Sequence, residues 1–394
     1  METTLTKTAD IRISARHAKI GVGVVALSMG AVFILQLLLA QNLVTPAGTP
    51  VGGDFAAFWT AAKAMAAGEM TAIYDPATFE AWLNRIAPAQ ERWGLSWQYP
   101  PTYFFVIGFL VYLPYGLGYA VWTGGSIAAF AASAHASGLR HWSLFAVIFS
   151  PVAFHTAVTG QNGFLTAALF MGATLLPDKR PVIAGLCAAV LTVKPQLGVL
   201  LPFAFLAGGH WRAFSVAAMG AIALGIASYL AFGIAPWAAF FESVLGTTSR
   251  ISTGELPLFK MPTLYAGLAM IGLPKSLALA AHILVALMAI AATVFVWRNS
   301  RNPALKAAVV CCGAFFVAPY AYYYELIIIA VPLALLAKER NGRPFDHLIL
   351  AALFLLPMLL PGDPRQMGIN YCLIVVSIAA FFILRRIKTD GASA

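Results

Sequence analysis

Long apolar runs separated by short polar turns recur along the whole chain. A helix needs roughly 20 apolar residues to cross roughly 30 Å of hydrocarbon. The run Ile20 to Ala40 meets this, interrupted by little more than Gln36. Further apolar segments lie near residues 101–113, 116–135, 143–158, 163–176, 182–193, 196–207, 213–234, 277–297, 304–318, 325–337, 346–361 and 367–385. Several of these are too short to cross unaided, and they fit short crossings or re-entrant pieces buried by neighbours. The pattern predicts an all-α polytopic membrane protein of about 11–13 transmembrane helices. Residues 1–394 form one transmembrane domain in this reading. The first run is a span and not a cleaved leader, because a leader's apolar stretch is shorter and would leave every later run unexplained.

Basic residues set the expected topology, because loops rich in Lys and Arg stay cytoplasmic. Lys7, Arg12, Arg16 and Lys19 hold the N-terminus inside, and Arg385-Arg386-Ile387-Lys388 hold the C-terminus inside. The turns at Lys338 to Arg343, Arg298 to Lys306, His210 to Arg212 and Lys179-Arg180 then also fall inside. Residues 42–98 and 235–262 become two extracytoplasmic loops. The forward and backward counts disagree by one crossing between Pro100 and Gly160, which predicts a re-entrant piece there or two apolar runs that make one span. Most acidic residues, among them Asp54, Glu69, Asp75 and Glu325, collect on the outer side.

Composition fits this class and narrows the chemistry. The chain is 60% hydrophobic and 10% charged, with a mean hydropathy of +0.81, where a soluble domain carries roughly a quarter charged residues. The net charge of +10 is dispersed among the turns and builds no continuous basic face, so nucleic acid is not an expected partner. Cys187, Cys311, Cys312 and Cys372 sit inside apolar runs without metal-knuckle spacing and read as packing residues. A redox pair at Cys311-Cys312 is disfavoured, since neighbours on a helix point in different directions. No phosphate-loop or dinucleotide glycine motif and no metal-ligand spacing occurs, so no cofactor or metal is expected. His155 reads as a polar packing residue. The chain carries no sequence-level repeat, which gives no support to a transporter built from two similar halves.

The long first loop is rich in aromatic residues. Phe55, Phe58, Trp59 and Met65 recur at helical spacing, and Phe79, Trp82, Leu83 and Ile86 do so after Asp75-Pro76, as expected of two interfacial helices. Asp54, after Gly52-Gly53, reads equally well as the N-cap of the first helix and as a general base at the mouth of the bundle. Asp75 before Pro76 reads as a cap. Tyr99-Pro100-Pro101 opens a span, with Tyr99 at interface height. Gln161 and Asn162 are either a polar turn or ligands for sugar hydroxyls. Lys194, beside Pro195-Gln196 in an apolar hairpin, either neutralises a lipid phosphate or snorkels outward. Arg250 and Lys260 in the second loop have the chemistry to bind phosphate oxygens. Tyr320, Tyr322, Tyr323, Tyr324 and Glu325 form either an aromatic belt or a sugar-stacking surface with one carboxylate.

In order, Gly53-Asp54-Phe55 with Trp59 and Ala62, Tyr74-Asp75, Tyr99-Pro100-Pro101, Gly160-Gln161-Asn162 and Ala184-Gly185 running into Lys194-Pro195-Gln196 resemble glycosyltransferase family 87. The resemblance runs from about Gly52 to Arg212, and beyond it the chain is similar mainly in hydropathy. Tyr324-Glu325 stands where that family often has an aspartate after a tyrosine. The resemblance implies the glycosyltransferase type C fold and a polyprenyl-phosphate sugar donor. It also implies inverting transfer of a hexose, with mannose the first expectation, to an extracytoplasmic glycan or glycolipid, with Asp54 as base. Lys194, Arg250 and Lys260 are then the expected donor-phosphate residues. Trp59, Tyr99, Gln161, Asn162, Gln196, Tyr324 and Glu325 are the expected sugar and acceptor residues. Membrane lipids are the remaining expected partners. Transfer of another lipid-linked sugar, such as a pentose, modification of lipid A or a protein, a lipid-linked-sugar flippase and an inactive assembly subunit are the alternatives.

Overall fold

The computed structural model describes residues 15–46, 50–86, 95–253, 257–339, 344–359 and 369–391. Lys7, Arg12 and Arg343 therefore lie outside the described residues. α1 (Ala15–Leu38) leads to α2 (Phe55–Ala66) and α3 (Pro76–Leu83), and the stretch Pro101–Tyr112, which contains α4 (Phe104–Ile107), precedes α5 (Tyr115–Ala136). Then come α6 (His141–Ile148), α7 (Pro151–Thr159), α8 (Gly163–Leu175), α9 (Pro181–Val190), α10 (Pro195–Gly198) and α11 (Leu200–Ala207). The chain closes with α12 (Trp211–Phe232), α13 (Ala235–Thr253), α14 (Leu264–Met270), α15 (Lys275–Asn299), α16 (Pro303–Val317), α17 (Ile327–Lys338), α18 (Pro344–Leu355) and α19 (Tyr371–Gly391). Among the described residues the only β-type pairings are isolated bridges, Gln41 with Val44 and Val44 with Pro50.

This is the helical, polytopic membrane fold expected from hydropathy, and its apolar helices are of two kinds. Among the described residues, α1, α12 and α15 are each long and apolar enough to cross a membrane by length and composition. They leave large apolar side chains exposed, including Leu27, Met219, Leu230, Leu284 and Met288, as a lipid-facing helix must. Further apolar helical stretches are shorter, of 10–17 residues, among them Gly163–Leu175, Pro181–Val193, Pro195–Ala207 and Pro303–Val317. Proline sets where several short helices begin: it occupies the first turn of α3, α7, α9, α10 and α16, where its missing N–H costs nothing but the preceding chain cannot continue as helix. Their sides are covered by one another; α16 buries nearly its whole length. α6 and α7 together have span length but bend by 46°. At the bend the Ser150 hydroxyl caps the Ala153 N–H at 3.3 Å and Pro151 restarts the helix. This broken pair falls in the interval where the two topology counts disagree.

The first loop forms the two expected helices. Asp75 caps α3, accepting from both the Thr78 N–H and hydroxyl at 2.8 Å. α2 is buried around most of its circumference, with Phe55 and Phe58 fully enclosed in an aromatic core that also holds Phe79, Trp97, Tyr103 and Phe104. Ring pairs such as Phe55 with Tyr115 and Phe58 with Tyr103 meet edge to face at 5.3 and 5.6 Å. The segment 235–262 is mostly the helix α13, followed by a 3-10 turn at Leu258–Lys260.

One face of α5 assembles the site. Tyr115, Tyr119 and Trp122, spaced i, i+4, i+7, present their polar tips in a row. They donate to the carbonyls of Val51 (2.7 Å), Ala157 (2.7 Å) and Gly160 (2.9 Å). The turn before α2 is thereby pinned beside the turn after α7. The fit leaves no room for side chains: Gly160 has φ +62°, and a Cβ there would lie 2.6 Å from the Phe55 Cβ. At Gly52, φ +76°, a Cβ would lie 2.8 Å from the Tyr119 ring. Gly160→Ala combines left-handed strain with overpacking, so it should destabilise by at least about 2 kcal/mol. The check is a thermal unfolding midpoint in detergent well below wild type, and an unchanged midpoint would contradict the docking described here.

Candidate active site

Asp54 occupies the N-cap position of α2, yet its side chain makes no capping hydrogen bond. The half-buried carboxylate instead turns toward a cleft, where the Gln161 side-chain amide donates to Oδ2 at 2.9 Å. The cap reading of Asp54 is thus not the one realised. Gln161 is itself held. Its Oε1 accepts from the Asn162 N–H at 3.3 Å and, at 3.5 Å, from the Tyr99 hydroxyl, which leaves the NH₂ end for Asp54. The Asn162 amide then donates to the hydroxyls of Tyr99 (3.2 Å) and Tyr103 (2.7 Å). Tyr99 and Tyr103 stack at 4.2 Å, four residues apart where the chain enters the Pro101 turn. A continuous path of side chains therefore fixes the orientation of one carboxylate.

The cleft has a volume of about 890 Å³. Asp54, Tyr99, Gln161, Lys194, Gln196, Lys260, Tyr324 and Glu325 all line it, although they come from segments far apart in the chain. Opposite Asp54, Lys194 and Glu325 form a buried ion pair, 6% and 2% exposed. Lys194 thus does not snorkel outward. Its ammonium lies over the rings of Tyr324 and Tyr99, at 5.1 and 5.6 Å from their centroids. Glu325 Oε1 takes the lysine, while Oε2 is buried without a hydrogen-bond partner. Tyr322 and Tyr324 stack in parallel at 5.7 Å. The segment that carries them docks closely on the other half of the site: Thr156 donates to the Tyr324 carbonyl at 3.1 Å, and a Cβ on Gly163 would lie 2.6 Å from the same oxygen.

Two expected site residues lie away from the cleft. Trp59 points elsewhere, its indole N–H on the Leu113 carbonyl at 3.0 Å and its ring against Tyr115. Asn162 stands behind the lining, 1% exposed, and acts through Tyr99. The Arg250 side chain lies outside what is described, although its backbone belongs to α13. Conversely, the cleft recruits residues that the sequence reading left out of the site: Glu80, Ser96, Gln98 and His155 line it, with His155 bonded at 2.9 Å to the Pro357 carbonyl. Tyr103 is also new, and its spacing of four from Tyr99 was the available signal. Among the described residues no three of His, Cys, Asp and Glu gather closely enough to share a metal ion.

Burial raises the Asp54 carboxyl above its ordinary value, opposed by the hydrogen bond from Gln161 and the positive charges of Lys260 and Lys194. A group so balanced, with one oxygen held and its proton affinity raised, has the properties of a general base.

Residues 97–319 match the family model of glycosyltransferase family 87. The chain belongs to glycosyltransferase family 87. No curated protein and no solved structure matches it. The family match covers a different stretch from the resemblance read by eye: it starts after Asp54, ends before Glu325 and extends well past Arg212. A family 87 protein is a membrane glycosyltransferase, so sugar transfer takes precedence over the transport reading.

The pair Lys194–Glu325 makes an energetic prediction. Removing one partner of a buried ion pair leaves an uncompensated charge and costs about 3–5 kcal/mol, whereas removing both costs much less. Lys194→Met should therefore lower the unfolding midpoint in detergent more than Lys194→Met combined with Glu325→Leu. Equal midpoints for the single and double variants would show that the pair is not buried as described.

Proposed function

We propose that this family 87 enzyme transfers a hexose, mannose first among the candidates, from a polyprenyl-phosphate donor to an extracytoplasmic glycan or glycolipid, with inversion. The observation that carries this reading is the Asp54 carboxylate, excused from capping its own helix and fixed by Gln161 at the edge of the cleft. With Oδ2 held, Oδ1 is available to an acceptor hydroxyl. In the proposed step, Asp54 takes the hydroxyl proton as that oxygen bonds to the anomeric carbon, and the bond from this carbon to the phosphate oxygen breaks. A single displacement from the opposite face inverts the configuration, and the electron pair leaves on the lipid phosphate.

A prenyl phosphate is a stable anion, so this chemistry calls for a base and for positive charge near the leaving oxygen, without a nucleotide site. Lys260, exposed at the cleft, suits the phosphate; Arg250 is proposed beside it from sequence alone. Lys194 adds positive potential but is already paired, so its main proposed task is to hold Glu325. Glu325 lines the cleft with its Oε2 buried and unpartnered, so a small turn of the side chain would present that oxygen to a sugar hydroxyl, with the Tyr322 and Tyr324 rings beside it and Gln196 and Tyr99 as further polar contacts. The cytoplasmic placing of both termini, and with it the outward opening of the cleft, rests on the distribution of Lys and Arg.

Asp54→Asn should lower turnover by about 10²–10⁴-fold in a folded protein, because the isosteric amide cannot take a proton. The assay uses purified enzyme with a panel of labelled polyprenyl-phosphate sugars, which also identifies the donor sugar; near-wild-type turnover by the variant would eliminate Asp54 as the base.

The pH profile gives a second, independent check. Gln161 donates to the ionised carboxylate and so lowers a pKa that burial raises. Gln161→Ala should raise it further, moving the acidic limb of kcat/KM to higher pH, with activity recovered as pH increases. A limb that stays in place would separate Gln161 from the titration.

A further inference from the structure

Lys260 stands on a short turn that is gripped from outside the cleft. Three carbonyls in and just after the 3-10 turn Leu258–Lys260, those of Leu258, Phe259 and Met261, are met by the head of α19. The buried side-chain amide of Asn370 donates to the carbonyls of both Met261 (2.9 Å) and Leu258 (3.3 Å), on either side of Lys260. Two residues on, the Cys372 thiol donates to the Phe259 carbonyl at 3.4 Å. Asn370 also serves its own helix: Oδ1 accepts from the Leu373 N–H at 2.9 Å. Thr263, just beyond the turn, donates to the Pro319 carbonyl at 3.1 Å, next to the tyrosine segment that lines the cleft. Among the described residues lining the cleft, Lys260 is the lysine with no ion-pair partner, because Lys194 is joined to Glu325.

A lysine on an exposed turn has a long, flexible side chain, and ordering it on binding an anion carries an entropic cost. Fixing the backbone at both sides of the residue reduces the conformations that must be excluded. We infer that Asn370 is a positioning residue for the donor phosphate: by clamping the Leu258 and Met261 carbonyls it holds Lys260 at the rim of the cleft. The inference rests on the proposed role of Lys260 as a phosphate ligand and adds a residue from the far end of the chain to that site.

The test separates the clamp from the cap. Ser is as good an N-cap as Asn, so Asn370→Ser keeps an acceptor for Leu373 while losing the amide that reaches both carbonyls. Asn370→Asp, a second variant, keeps the acceptor and replaces the donor. The readout is inhibition by farnesyl phosphate, a prenyl phosphate without sugar, together with the split between KM for the donor and kcat. Lys260→Ala should weaken farnesyl phosphate inhibition by about tenfold, the scale of one charge-assisted hydrogen bond. Asn370→Ser should weaken it by several-fold, raise KM with kcat little changed, and add nothing further in the Lys260→Ala background.

If Asn370→Ser lowers only the unfolding midpoint, or if its effect on inhibition is undiminished without Lys260, the clamp is structural and the inference fails. If Lys260→Ala leaves inhibition unchanged, the proposed phosphate role of Lys260 fails, and the inference falls with it.

Discussion

The site depends on the docking of two glycine turns. The turn at Gly52-Gly53 and the turn at Gly160 press against each other and against one face of α5, with Gly160 close to the Phe55 Cβ and Gly52 against the Tyr119 ring. Backbone of ordinary chirality with a side chain would not fit at either place. Once the turns are in contact, the position of the Asp54 carboxylate relative to Gln161 follows. The hydrogen bond between them spans more than a hundred residues of sequence and is set by three aromatic polar tips on α5 that fasten the carbonyls around it. The aromatic core under α2 thus serves the chemistry by holding backbone. The two tyrosines and the tryptophan of α5 satisfy carbonyls at turns that have no helical N–H to pair them.

Much of this was legible in the chain. Hydropathy gave the class, Asp75-Pro76 gave the start of α3, and Asp54 and the polar Gln161-Asn162 turn both lay within the ordered motifs that resemble family 87, although nothing in the sequence joined the two. What stayed hidden was partnership. Lys194 and Glu325 are each a single ionisable residue in an apolar setting, and each alone reads as a ligand or an anchor. That they neutralise one another depends on α8 and its neighbours carrying residues 194 and 325 to one place, which no local pattern encodes. Trp59 shows the opposite error. Its position in a motif suggested the site, but its register on α2 turns it toward Leu113 and Tyr115, because Phe55 and Phe58 take the inward face.

The number of crossings was legible only in part, for a reason that also lies in the physics. Hydropathy counts apolar residues and does not see proline-initiated breaks in the helical ladder. A run such as residues 182–207 appears as two candidate spans, yet Lys194-Pro195 divides it into short helices whose exposed ends need partners. Within a membrane such ends persist only where protein or a polar cavity covers them. The break at Lys194 opens directly onto the cleft, so the same proline that spoils the span delivers a charged residue to the site.

Charge around the cleft is arranged asymmetrically. The Lys194–Glu325 pair is buried and carries no net charge as a unit, which on the proposed function suits a wall that meets an uncharged sugar mainly through flat tyrosine rings. Asp54 and Lys260 are not joined in such a pair, yet the lysine's charge reaches the aspartate and lowers the proton affinity that burial raises there. On the proposed chemistry, an anionic phosphate arriving at Lys260 would offset part of that influence and favour proton uptake by Asp54 at the stage when a base is required. Departure of the phosphate would restore the original balance and help release the proton. On this proposal, the separation of Asp54 and Lys260 from a paired, neutral wall would let one cleft hold a sugar by hydrogen bonds while reserving its net charges for the two ends of the reaction, the entering hydroxyl and the leaving phosphate.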